Sequence, residues 1–215
     1  MDTEPTVFVV DADEPARDGM GSCLRYAGVR TELFEGPDQL LENYDPARPG
    51  CLVLEMRFAE LTGLELRRLL VARGCHKPFI IVTENSTVAE AVQAMRDGAV
   101  DFLEKPYRRP LLLERVYHAL DLDATGRQRR QEQLRIRTEL ASLTPREHEI
   151  LQLVVAGKPT REIAGQLGLS PKTVEVHRSN IVGKMRVESI AELVITLVRM
   201  QVDLPTPTLH RRRAV

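Results

Sequence analysis

No apolar run in this chain approaches the ~18 residues that a membrane-crossing helix needs, so insertion into a bilayer is not expected. The opening residues, MDTEPT, hold neither a basic stretch nor an apolar one, which argues against a secretory leader and makes the cytoplasm the expected location. Cysteine is scarce as well. Cys23, Cys51 and Cys75 are odd in number, widely spaced and set among apolar residues, a pattern that favours buried thiols over a disulfide framework or a zinc site, and the lack of any C-x-x-C pair argues against a redox role. No nucleophile–base pair, intact metal-ligand cluster or Gly-rich phosphate loop is visible, so an enzyme is not expected.

Charge is present in quantity and unevenly placed. The net charge of −1 hides an asymmetry: up to Asp123 there are 14 Lys and Arg against 22 Asp and Glu (−8), and beyond it 16 against 9 (+7). An acidic front and a basic back imply different partners, and nucleic acid is the natural one for the back. At 215 residues the chain can form two modest domains, each with a core of its own.

The front half alternates strand and helix patterns. TVFVVD (residues 6–11), RTELF, CLVLEM, PFIIVT and AVDFLE are short apolar runs of the kind buried on both faces of a parallel sheet. Helical patterns over 14–27, 37–43, 62–73 and 86–96, and one starting near Pro110, follow them in turn. Five strands each followed by a helix predict a doubly wound α/β domain whose site lies at the carboxyl ends of the strands. There the sequence places Asp11 and Asp13, Glu55, Thr83 and Lys105. Such carboxylates, hydroxyl and ammonium could hold Mg²⁺ and orient a phosphoryl group, or form only a solvated polar rim.

Behind a polar, Arg- and Gln-rich stretch over 121–140, expected to be a helical linker, Thr144-Pro145-Arg146-Glu147 signals a capped helix start. Residues 161–186, REIAGQLGLSPKTVEVHRSNIVGKMR, then read as two short helices meeting at Gly168, with Ser170 and Pro171 opening the second. Val174, Ile181 and Met185 pack inward in this reading and leave an outer face. A helix-turn-helix puts such a second helix in the major groove. An ordinary helical hairpin would show the same bare pattern.

The motifs taken together carry a resemblance. LTPREHEILQLVVAG, EIAGQLGLSPKTVEVHRSNI and AELVITLVRM resemble the LuxR-type DNA-binding domain of four helices. VVDADEPARD, CLVLEMRFAELTGLEL and AVDFLEKPY resemble a response-regulator receiver domain, so the chain as a whole is similar to two-component transcription factors of the FixJ/NarL type. The resemblance implies a receiver-like domain over 1–120, a linker over 121–140, a DNA-binding domain over 141–202 and a tail over 203–215, Pro-rich and basic, that is expected to be disordered. It also implies double-stranded DNA as partner, a homodimer and contact with RNA polymerase.

In that family an aspartate accepts phosphate from a histidine kinase beside Mg²⁺, a strand-four hydroxyl matching Thr83 moves inward, and an aromatic matching Phe102 rotates. Here Glu55 stands at the acceptor position and Ala12 replaces one member of the acidic pair, leaving Asp11. Ala59 replaces a proline in the loop after the acceptor, and Glu84 a small residue after Thr83. These departures argue against ordinary phosphorylation, against a histidine kinase as working partner and against a dedicated metal site, with at most weak Mg²⁺ binding at Asp11, Asp13 and Glu55. On the recognition helix, the resemblance implies Glu175, Val176 and Ser179 for base contacts, and Lys172, Thr173, His177 and Arg178 for backbone contacts; His177 fits a packed side chain equally well. Leu193, Val194 and Leu197 on the last helix are implied at a dimer interface, with core packing as the other reading of the same stripe.

Overall fold

The computed structural model describes residues 4–202; the tail over 203–215 lies outside the described residues. The chain divides into two compact units, Met1–Arg127 and Gln128–Val215. In the first, β1 (Thr6–Val10), β2 (Arg30–Phe34), β3 (Gly50–Glu55), β4 (Phe79–Thr83) and β5 (Asp101–Glu104) form one parallel sheet in the order β2-β1-β3-β4-β5. α1 (Glu14–Tyr26), α2 (Pro37–Asn43), α3 (Gly63–Ala72), α4 (Val88–Arg96) and the start of α5 (Arg109–Ala141) cover it.

The period-2 alternation of side chains divides each strand between two cores. Phe8, Val10, Leu52, Leu54, Phe79 and Ile81 face one cluster, closed by Leu40, Leu64, Leu66, Leu70 and Ala94. Val7, Val9, Cys51, Val53, Ile80 and Val82 face the other, closed by Met20, Leu24, Leu112, Val116 and Ala119. Burial on both faces is why these strands read as continuous apolar runs. Cys51 and Cys75 are buried free thiols, and burial pushes the Cys51 thiol well above its usual range.

Strand order reverses between β1 and β3, and the crevice outside the carboxyl ends at such a point is where open α/β sheets place their sites. The register opposes Val10 to Leu54, Glu55 to Val82 and Thr83 to Glu104, so Asp11, Glu55, Thr83 and Lys105 reach one level.

The second unit packs the end of α5 with α6 (Pro145–Val155), α7 (Thr160–Leu167), α8 (Pro171–Lys184) and α9 (Ile190–Met200). Ile136, Leu140, Ile150, Leu151, Ile163, Val174, Ile181, Met185, Leu193 and Leu197 make its core. The expected capping box opens α6: Thr144 accepts from the Glu147 N–H while the Glu147 carboxylate accepts from Thr144. Gly168 ends α7 with φ 64°, a left-handed conformation that favours glycine, and Ser170 caps α8 through the Thr173 N–H. α5 runs unbroken past Gly126; Ile136 and Leu140 bury in the second core, while Leu134, also apolar, stays exposed.

Candidate functional site

At the sheet edge a cavity of about 310 Å³ is lined by Asp11, Ala12, Asp13, Glu55, Arg57, Thr83, Glu84, Asn85 and Lys105. Lys105 is its hub. Its ammonium donates to Asp11 Oδ2 at 2.6 Å and to Glu55 Oε2 at 2.9 Å. The remaining carboxylate oxygens are engaged as well: Asp11 Oδ1 accepts from the Asp13 N–H at 3.0 Å, and Glu55 Oε1 from the Met56 N–H at 2.7 Å. Burial alone would lower the Lys105 ammonium, but its hydrogen bonds to the two carboxylates outweigh burial and hold it above its usual range.

Several local features aim these groups. Asp13 turns Oδ2 to the Ala16 N–H, capping α1. Gly63, at the first position of α3, lies so close to the end of β3 that a Cβ there would run into the Glu55 carbonyl oxygen. Thr83 is buried beside the cavity, and Phe102 is half-buried against the core that contains Ala94 and Ala99.

A divalent cation does not fit this donor set. Mg²⁺ needs oxygen ligands with near-octahedral freedom, whereas Lys105 already occupies Asp11 and Glu55, Asp13 gives an oxygen to a helix cap, and Ala12 offers none. Among the described residues no group of three or more His, Cys, Asp or Glu is arranged to hold a metal.

One lining residue has a partner that no local pattern announces. Arg57 reaches 33 residues along the chain to grip both oxygens of Glu90, at 2.9 and 3.2 Å. Glu90 also closes the capping box of α4 with Thr87; the Arg57 hydrogen bond, followed by those from Thr87, pulls its carboxyl down to about 2. The loop after Glu55 is thereby tied to the first turn of α4.

In the second unit, α8 turns Lys172, Glu175, Val176 and Ser179 to solvent, with Val176 53% exposed although apolar. Thr173, His177 and Arg178 are half-buried. His177 Nδ1 is buried and has no hydrogen-bond partner among the described residues. Thr160, which sequence reasoning passed over, donates to Glu175 Oε1 at 2.7 Å and accepts from Arg178 Nη1 at 3.2 Å. The dimer expectation needs correcting in part. Leu193 and Leu197 are 1% and 3% exposed and belong to the core of their own unit, because helical spacing puts them on the face opposite Ile195 and Val198. Val194 is half-buried, and Ile195 and Val198 carry the outward apolar surface.

A doubly wound unit with an ionic crevice at its switch point, joined to a helix-turn-helix unit, is the architecture of a DNA-binding response regulator, a class of transcription regulator. Residues 7–117 match the response regulator receiver domain and residues 141–197 the luxR family of bacterial regulatory proteins. The chain is 35% identical over 192 residues to the transcriptional regulatory protein FixJ of Rhizobium meliloti, covering 89% of this chain and 94% of that one. Identity to the transcriptional regulatory protein TdiR of Thauera aromatica is 37%, over 90% of this chain and 86% of that one. Among solved structures, the response regulator StyR superposes with a TM-score of 0.80 at 40% identity, over 92% of this chain and all of that one. The chain belongs to the FixJ/NarL-type response regulators. No helix among the described residues is long and apolar enough to cross a membrane.

Proposed function

We propose that this transcription regulator is a cytoplasmic protein with a degenerate receiver unit that works without aspartyl phosphorylation, and that it binds double-stranded DNA as a homodimer through the outer face of α8. The proposed division follows the chain: a receiver-like domain over 1–120, a helical linker to 140 and a DNA-binding domain over 141–202. The observation that carries the reading is the Asp11–Lys105–Glu55 bridge, in which the groups that would handle a phosphoryl transfer satisfy one another.

Three further features support it. Glutamate carries its carboxylate one methylene further out, on the order of 1.5 Å, and a misplacement of about 1 Å can cost a hundredfold in a positioned reaction. Asp11, Asp13, Glu55 and Glu84 set four carboxylates around two cations, Lys105 and Arg57, and Arg57 is engaged with Glu90. An incoming phosphate dianion meets net negative charge, and Ala12 offers no side-chain oxygen to a cation that would offset it. Glu55 thus serves as a structural counter-ion of Lys105. One carboxylate lacks the three oxygens and the added charge of a phosphoryl group.

On α8, the exposed Val176 suits contact with a thymine methyl, Glu175 suits a base-edge donor, and Lys172 and Arg178 suit phosphates. Ile195 and Val198 supply the apolar patch for a second copy, matching a two-fold half-site arrangement. Incubation of the full chain with acetyl phosphate and Mg²⁺, read by intact mass, tests the receiver reading. Unchanged mass is expected; a gain of one phosphoryl group would restore the conventional phospho-switch.

A further inference from the structure

The hydroxyl of Thr160 sits at the first turn of α7, yet its bonds go to α8. Their directions are forced by valence. A guanidinium only donates, so Arg178 must give its hydrogen to Oγ1, and a hydroxyl owns one hydrogen, which therefore goes to Glu175 Oε1. Glu175 is thus pinned by one oxygen 15 residues away from its own position, on the exposed side of α8, and its Oε2 makes no other hydrogen bond among the described residues.

We infer that Thr160 is a positioning residue for DNA readout: by fixing Oε1 it presents Glu175 Oε2 as a lone acceptor and sets a preference for cytosine at the base pair that Glu175 meets. The inference rests on the reading of α8 as the DNA-contacting helix and goes beyond it. In the major groove the cytosine N4 amine is a donor that suits a carboxylate oxygen, whereas guanine offers only acceptors there and thymine an acceptor and a methyl. Adenine has a donor too, but its neighbouring N7 acceptor opposes a second carboxylate lone pair. The same geometry anchors Arg178, so its guanidinium is held while its remaining N–H groups stay available for a phosphate.

A sharper consequence follows for the amide. In Glu175→Gln the Thr160 hydrogen would go to the amide oxygen, because the amide nitrogen cannot accept it, and the NH₂ group would point outward. An acceptor would be replaced by a donor at one fixed place. The preferred base should then change from cytosine to one that presents an acceptor, guanine or thymine, and not merely weaken.

The test is base preference, measured for the full chain by selection from a library randomised across its site. Expected are a switch of base at one position for Glu175→Gln, and a loss of cytosine preference of about tenfold for Thr160→Val, the scale of one base-edge hydrogen-bond set. Thr160→Ser should keep the preference, since it keeps the hydroxyl. The double variant Thr160→Val/Glu175→Gln should spread over several bases, as its amide is free to turn. An unaltered preference in Thr160→Val, or a Glu175→Gln variant that still selects cytosine, overturns the inference while leaving DNA binding intact. A wild-type chain that selects no sequence at all overturns the DNA reading and the inference with it. Thr160→Ser and Glu175→Gln keep the question decidable if Thr160→Val misfolds.

Discussion

Replacing Lys105 by methionine removes the cation and leaves its two carboxylates facing each other. The bridge distances of 2.6 and 2.9 Å together bound the separation of Asp11 Oδ2 and Glu55 Oε2 at 5.5 Å, and both side chains are largely buried, at 3% and 11% exposure. Two like charges at that separation repel by about 3 kcal/mol at an effective dielectric of about 20, in the range found when one partner of a buried ion pair is deleted. The assay is built into the sequence: there is no tryptophan, and all four tyrosines (Tyr26, Tyr44, Tyr107 and Tyr117) lie in the first unit, so tyrosine fluorescence follows that unit alone in the full chain. With a urea slope of about 1.5–2 kcal/mol per M, the midpoint should fall by about 1.5–2 M at neutral pH. Glu55→Gln in the same chain should recover most of the loss. An unchanged midpoint in Lys105→Met, or no recovery on adding Glu55→Gln, would refute the claim that these three groups satisfy one another.

Other expectations concern the second unit. Arg178→Ala should weaken binding on target and random DNA alike and lower the salt dependence, while Val176→Ala should mainly relax base preference; equal losses on both DNAs for both variants would contradict the assignment. For Glu147, burial would raise the carboxyl, but hydrogen bonds from Lys184 and Thr144 outweigh it and hold the carboxyl below its usual range. Its contribution is therefore present above the unfolded carboxylate pKa and lost as pH falls through the lower folded value. Glu147→Gln should cost about 1.5–3 kcal/mol at neutral pH and flatten the acid limb of the helical transition that tyrosine does not see, followed by circular dichroism. Val198→Glu should reduce dimer formation in sedimentation while leaving the helical content intact, since Val198 is 69% exposed.

What the sequence disclosed was mostly local. Alternating strands buried on both faces announce themselves as short β-branched runs, and Thr144 with Glu147, Gly168, and Ser170 with Pro171 mark helix ends within a turn of where they stand. Alternation of strand and helix then sufficed to bring Asp11, Glu55, Thr83 and Lys105 to one edge, because parallel strands share a direction. Partnerships across the chain were not legible. Arg57 with Glu90, Thr160 with Glu175, and Asp123 accepting from the Gly50 N–H join residues 33, 15 and 73 apart, and nothing in the neighbourhood of either partner signals the other. Periodicity also ranks residues as apolar without saying which core claims them. The stripe on α9 therefore suggested an interface at Leu193 and Leu197, which the unit's own core absorbs, and passed over Ile195.

The central claim is that this regulator acts on DNA without a phosphoryl group. The direct test is a titration of the untreated full chain onto a site selected from random sequence, at fixed salt, repeated after incubation with acetyl phosphate and Mg²⁺. The account predicts selective binding with superimposable isotherms. Binding that appears or tightens only after the phosphodonor treatment would contradict it.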